Sequence, residues 1–303
     1  DISAGGIIVI EKVDYVTPQH FGANGTSDTA AFKAAATASM GKCQLFVPSG
    51  GIDLTDLTTP MNVTGDLNIL GNGILSTITG PDIDTYLFEV VNTSGAKISC
   101  SGVSFSTFLM IFNFQGNSGQ PKYEVSLTRN YCDNFGRGLI GSGGGVYWSA
   151  FNVDVSYNQL TNMGLDLDNV DASAIKVAVD VCPSVSVVEN LIDNVGSLSN
   201  TESVWGILVD HSPATDKQQS VKVLNNTVKN VISGVTSGGT EQVTGIMVLD
   251  SSAVIDGNTV DTVQAPNPNS NPDGIYSKCP KSIITNNKVI DVLANEGAIN
   301  VKG

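Results

Sequence analysis

Positive charge is what this chain has least of. Its 303 residues carry 15 Lys and Arg against 29 Asp and Glu, giving a formal net charge of −14, and the only arginines are Arg129 and Arg137. A nucleic-acid binder needs a cationic footprint that releases condensed counterions, so nucleic acid is excluded as a partner. An acidic surface also opposes anionic membranes and, more weakly, polyanionic sugars. No window is long and apolar enough to span a bilayer, and no membrane insertion is expected. Close cysteine pairs are missing as well. Cys43, Cys100, Cys132, Cys182 and Cys279 form an odd, scattered set, which makes neither a disulfide framework nor a zinc site. They read as buried free thiols packing as small apolar groups, consistent with assembly in a reducing cytoplasm. HExxH, P-loop, GxSxG and dinucleotide fingerprints are all lacking, and no metal or cofactor is implied. The chain starts at Asp1 without Met or a signal peptide, so the expectation is a segment whose flanking parts were removed.

What is present is an all-β composition. Hydrophobic residues make up 41% and charged residues 15%, Gly is abundant, and Asn, Ser, Thr and Val recur throughout. That suits many short strands joined by tight turns. The chain also superposes on itself. Residues 127–135 (LTRNYCDNF), 155–163 (VSYNQLTNM), 187–195 (VVENLIDNV), 223–231 (VLNNTVKNV), 255–263 (IDGNTVDTV) and 284–292 (ITNNKVIDV) align without gaps. Each has Asn at one place (Asn130, Asn158, Asn190, Asn226, Asn258, Asn287), and the spacings are 28, 32, 36, 32 and 29 residues. A period in this range means stacked coils. A strand ending in a short corner needs a residue that tolerates a left-handed backbone, and after Gly that is Asn. Coils about 4.8 Å apart bring such amides within hydrogen-bonding reach as a ladder.

A second column follows each Asn segment: Ile175, Ile207, Ile246, Ile275 and Ile299 are its aligned core residues. Alternation sends the next side chain outward, predicting an outer row of Lys176, Leu208, Met247, Tyr276 and Asn300. The coil therefore reads as strand, Asn corner, second strand, variable loop, third strand, variable loop. This predicts a right-handed parallel β-helix with three strands per coil. It is one domain over 1–303, with a cap segment and first strands in 1–50 and stacked coils in 51–303. A β-sandwich or propeller would not give an Asn column at this period, and a leucine-rich repeat would show its Leu framework.

The one convincing helix is 28–40 (DTAAFKAAATASM), with Asp28 as its N-cap, placed to cover the exposed first coil. Around it lie Phe21-Gly22-Ala23-Asn24-Gly25, then Ser27-Asp28-Thr29-Ala30-Ala31-Phe32, Leu45-Phe46-Val47-Pro48-Ser49-Gly50 and Leu70-Gly71-Asn72-Gly73. This opening resembles the pectate-lyase-like superfamily, whose members begin with an F-G-A-x-G turn, a capped Ala-rich helix, a V-P-x-G strand end and a G-x-G turn. The turn before the helix lacks the G-D-G usual in that superfamily. Within it the chain most resembles a bacteriophage tailspike or polysaccharide depolymerase. That resemblance implies a bacterial surface polysaccharide as partner, a homotrimer, and a place on the virion tail. The last coil ends without a cap, so a further C-terminal domain or a neighbouring subunit is expected to cover it.

Glycan hydrolysis needs two carboxylates, about 5 Å apart for retention or 6.5–9.5 Å for inversion, and stacked coils offer both spacings. At the end of the third strand, successive coils carry Asp180, Asp210 and Asp250, the candidate catalytic trio. His211 follows Asp210 and, like Tyr276, is a candidate substrate contact. Trp205 offers a ring for a sugar, although it is in phase with Ile207, so a regular strand points it into the core. Asp166, Asp168 and Asp171 in the preceding loop supply a further acidic group, with Asp168 a candidate substrate contact. The Pro/Asn-rich loop 265–273 is expected to project and wall a groove, with Asp273 at its base and Tyr276 beyond. Leu208 beside Met247 predicts an exposed apolar patch, a groove floor or a subunit contact. Three functions remain open. The first is a hydrolase; the second is a spike that only binds or bears load; the third is a lyase or uronate epimerase.

Overall fold

The computed structural model describes residues 13–91, 95–115, 123–141, 147–164, 171–197, 203–212, 220–234, 242–249, 252–267, 269–293 and 298–302. Its strands form three parallel sheets of ten, nine and nine strands among the described residues. Successive members of one sheet lie a whole coil apart in sequence, so the chain winds as a solenoid of about eight turns. One coil runs Ser184–Val188, Leu191–Ser197, Val204–His211. Alternation, shifted in the second strand by the left-handed Asn194 (φ 62°), puts Val185, Val187, Ile192, Val195, Ile207 and Val209 inside, and all of these are fully buried.

The Asn column is a ladder. Asn130, Asn158, Asn190, Asn226 and Asn258 each donate backbone N–H and side-chain Nδ2 to the Oδ1 of the next coil's Asn, at 2.9–3.1 Å. Each Nδ2 from Asn158 onward also reaches a carbonyl of the preceding coil, as Asn190 does to Val155 at 2.8 Å. The reason for Asn at this place differs from the sequence expectation. The left-handed residue of the corner is the one before the ladder: Arg129, Tyr157, Glu189, Asn225, Gly257 and Asn286 have φ between 53° and 68°. The ladder Asn is selected for its buried amide. Left-handed tolerance explains the second column, where Asn134, Asn162, Asn194, Asn230, Thr262 and Asp291 all have φ between 49° and 62°.

The helix spans Thr29–Ser39 and buries Phe32, Ala35 and Ala36 against the first coils. Asp28 stands at its N-cap without capping it. The buried carboxylate turns back and accepts from the backbone of Asn24 (2.8 Å), Gly25 (3.0 Å) and Asp53 (3.1 Å), tying the glycine turn to the second sheet. All five cysteines are free, and Cys100, Cys132, Cys182 and Cys279 are buried. Burial pushes the Cys182 thiol up to about 11, a backbone hydrogen bond only partly opposing it. No described helix is long and apolar enough to cross a membrane.

Candidate functional site on the third sheet

The third sheet carries the predicted column in register: Ile140, Ile175, Ile207, Ile246, Ile275 and Ile299 are direct partners. So are Lys176, Leu208, Met247, Tyr276 and Asn300 on the outer row. The strand is not regular, however. Gly206 breaks its phase: a Cβ there would run into Val228 of the second sheet and lie 2.6 Å from the Gly245 carbonyl oxygen. Residues 206 and 207 therefore both face the interior, and Trp205 is left facing out with Leu208. This corrects the expectation that Trp205 fills the core. It belongs to a separate satellite cluster with Leu208 and Met247, against which Leu249 and Tyr276 pack.

The apolar patch expected there is also corrected. Leu208 and Met247 are 4% and 6% exposed, closed over within that cluster. The Lys176 ammonium lies 5.5 Å from the Trp205 ring centre and 3.5 Å from Asp171 Oδ2. Asp171 also accepts from the Ser203 backbone at 3.3 Å, so it pins the entry to the next strand. Trp205, 8% exposed with the Lys176 ammonium over its ring, is therefore not an open platform.

Asp180 and Asp210 are not register partners. Asp210 pairs with Ala178 on one side and Leu249 on the other, and Leu249 pairs with Lys278. Asp180 sits two residues beyond Ala178, hydrogen-bonded through its N–H to the Trp148 carbonyl at 2.8 Å. One coil of offset combined with two residues of strand rise puts the Asp180 and Asp210 Cα positions roughly 8 Å apart on a diagonal. Asp250, Asp166 and Asp168 lie outside the described residues.

Asp210 has a partner the sequence did not reveal. The Tyr147 hydroxyl donates to Asp210 Oδ2 at 2.7 Å. Trp148 pairs with Val179, so Tyr147 stands opposite Ala178, and its side chain crosses this small residue to reach a carboxylate two coils on. No motif marks Tyr147, because its coil's third strand, Gly138–Gly141, is short and ends well before it. The one signal that could have found it is the small residue, Ala178, beneath an aromatic in the preceding coil.

His211 points inward from the same strand and is 1% exposed. Among the described residues neither ring nitrogen has a hydrogen-bond partner of good geometry. Burial pulls its pKa down to about 4, with a smaller opposing influence from the Cys182 backbone. It is a neutral buried wall behind Asp210 and faces away from any ligand on the outer face. Tyr276 is half-buried on the outer row, its ring 5.6 Å from the Lys302 ammonium, two coils and two residues from Asp210. The loop before it folds in: Asn267 and Ser270 are buried and joined by a 3.1 Å backbone hydrogen bond, and the strand already begins at Asn271. Asp273, 3% exposed, is buried in the row with Ser173, Trp205 and Thr244. Among the described residues no group of three or more His, Cys, Asp or Glu is placed to hold a metal ion.

No protein-family profile matches the chain, and no curated protein sequence does. Solved structures align with it over nearly its whole length at low identity. The catalytic unit of a thermostable GH87 α-1,3-glucanase from Streptomyces thermodiastaticus strain HF3-3 is 13% identical, covering 97% of this chain and 68% of that one, with a TM-score of 0.31. The A-module of the mannuronan C-5 epimerase AlgE4 from Azotobacter vinelandii is 14% identical over 96% of this chain and 98% of that one, with a TM-score of 0.34. The Agl-KA catalytic domain is 11% identical over 97% and 68%, with a TM-score of 0.35.

Proposed function

We propose that this protein acts on a polysaccharide at the outer face of the third sheet. More narrowly, we propose a tailspike-type depolymerase that hydrolyses a bacterial surface polysaccharide and works as a homotrimer on a phage tail. The observation that carries the reading is the held carboxylate: Asp210, half-buried on that face, has one oxygen engaged by Tyr147. The variable loops that precede and follow the third strand give this face room for specificity.

Asp180 and Asp210 stand on a diagonal between adjacent coils, their Cα positions roughly 8 Å apart, and are the proposed carboxylate pair; an inverting reaction would need their carboxyl groups about 6.5–9.5 Å apart. In such a reaction one carboxyl group protonates the leaving glycosidic oxygen, and the other takes a proton from the attacking water. Asp210, the more accessible of the two, suits the water, and Asp180 the leaving oxygen. Tyr147 acts through Asp210 as a positioning residue.

Incubation with capsular and O-antigen polysaccharides tests this, with chain length read by gel filtration. Shortened oligosaccharides are expected, with cleavage by Asp210→Asn reduced at least about a hundredfold and by Tyr147→Phe about tenfold. Tight binding without shortening would replace the hydrolase by a binding spike. New absorbance of unsaturated uronates that depends on calcium would replace it by a lyase.

A further inference from the structure

The left-handed corner before the Asn ladder is a place where the backbone selects the residue. A side chain with a Cβ is disfavoured there, and Gly and Asn carry the least penalty. Three coils comply, with Asn225, Gly257 and Asn286. Three consecutive coils do not: Arg129, Tyr157 and Glu189 hold φ of 56°, 60° and 54°. A bulky residue kept in this conformation against the local preference points to work done by the side chain.

These side chains are all exposed, and they stand on the ridge between the first and second sheets. Tyr157 is 48% exposed. The Arg129 guanidinium lies 5.4 Å from its ring centre. Apart from that stacking, the guanidinium has no hydrogen bond or ion pair among the described residues, although acids far outnumber bases in the chain. Two residues on, the outer row of the second sheet continues the strip with Tyr131, Gln159 and Leu191, direct partners in register.

We propose that this ridge is a second saccharide-binding surface, separate from the third-sheet face, with Tyr157 as its platform. Arg129 lies against the ring from the preceding coil, and the exposed half of Tyr157 is the surface offered to the apolar face of a pyranose. The guanidinium, engaged among the described residues only by this ring, has N–H donors to offer as a fork to a vicinal hydroxyl pair or a sugar carboxylate. Gln159 and Glu189 flank the ring with amide and carboxylate groups for further hydroxyls. The ligand class is that of the proposed function, but the site is independent of it: cleavage is read at Asp210, and binding to the ridge at Tyr157.

The test uses Tyr157→Asn and Arg129→Gln in the full chain. Asn is the residue that two other coils use at this corner, so Tyr157→Asn relieves the backbone and is expected to leave Tm equal to or above the native value. Binding is measured on an array of capsular and O-antigen polysaccharides, with N-acetylchitotetraose and tetragalacturonate included to separate a neutral from a carboxylate ligand. The expected result is that some saccharide binds the native chain and that both variants weaken its binding about tenfold, whether or not Asp210→Asn abolishes cleavage. Either of two results overturns the proposal. One is no saccharide whose binding depends on Tyr157. The other is a Tyr157→Asn variant that loses stability while binding is unchanged, which would make the Arg–Tyr stack a structural brace.

Discussion

A ladder amide has more to do than a corner residue. Asn190 Oδ1 takes two donors from Asn158, and its Nδ2 gives to Val155 and Asn226, all in a site closed to water. Asn190→Ala takes the acceptor from the Asn158 N–H and from one of the two Asn158 Nδ2 bonds, and the Nδ2 donor from the Val155 carbonyl; it is expected to cost about 3 kcal/mol in urea unfolding, since each buried orphan costs roughly 1–3. Asn190→Asp should be worse, because a carboxylate oxygen would face the Val155 carbonyl where Nδ2 now donates. His211 yields a pH prediction at the same scale. Its folded pKa near 4 lies below the ordinary 6.5, so the unfolded chain binds the proton more readily. The native state keeps its full margin above pH 6.5 and loses it as pH falls toward 4. The loss over that window is about 3 kcal/mol. His211→Leu is expected to flatten the difference in chemical-denaturation stability between pH 7 and pH 4.5 relative to the native chain. Parallel pH curves for the two proteins would contradict it.

At the scale of the element, the third strand owes its shape to glycine. Gly245 packs where a Cβ would meet Val260 and come within 2.7 Å of the Gly274 carbonyl oxygen, so Gly245→Ala is expected to destabilise the chain by about 2 kcal/mol. Thermal unfolding of Gly245→Ala against the conservative exposed change Lys281→Gln checks this. The same phase break decides which parts of the site are legible in the sequence. The Ile column and its outer row can be read there because both lie on the far side of the glycine, where alternation is regular. Trp205 lies on the near side, and period-two reasoning sends it inward. Asp180 and Asp210 stand out as strand-end acids, but no motif marks the register between them. Tyr147 is invisible because its reach across two coils belongs to packing rather than to spacing.

For the whole molecule, the ladder spacings are enough to fix the stacked-coil architecture, since an amide recurring at one period requires coils piled in register. The proposed function sets the activity on the third-sheet side, where Tyr147 holds the Asp210 carboxylate. Hydrogen exchange of the full chain, with and without a polysaccharide that it binds, tests that location most directly. Slowed exchange is expected in Ala172–Val179 and Val204–His211, the strands that carry Lys176 and Asp210. Protection confined to other sheets, with these two strands unchanged, would contradict it.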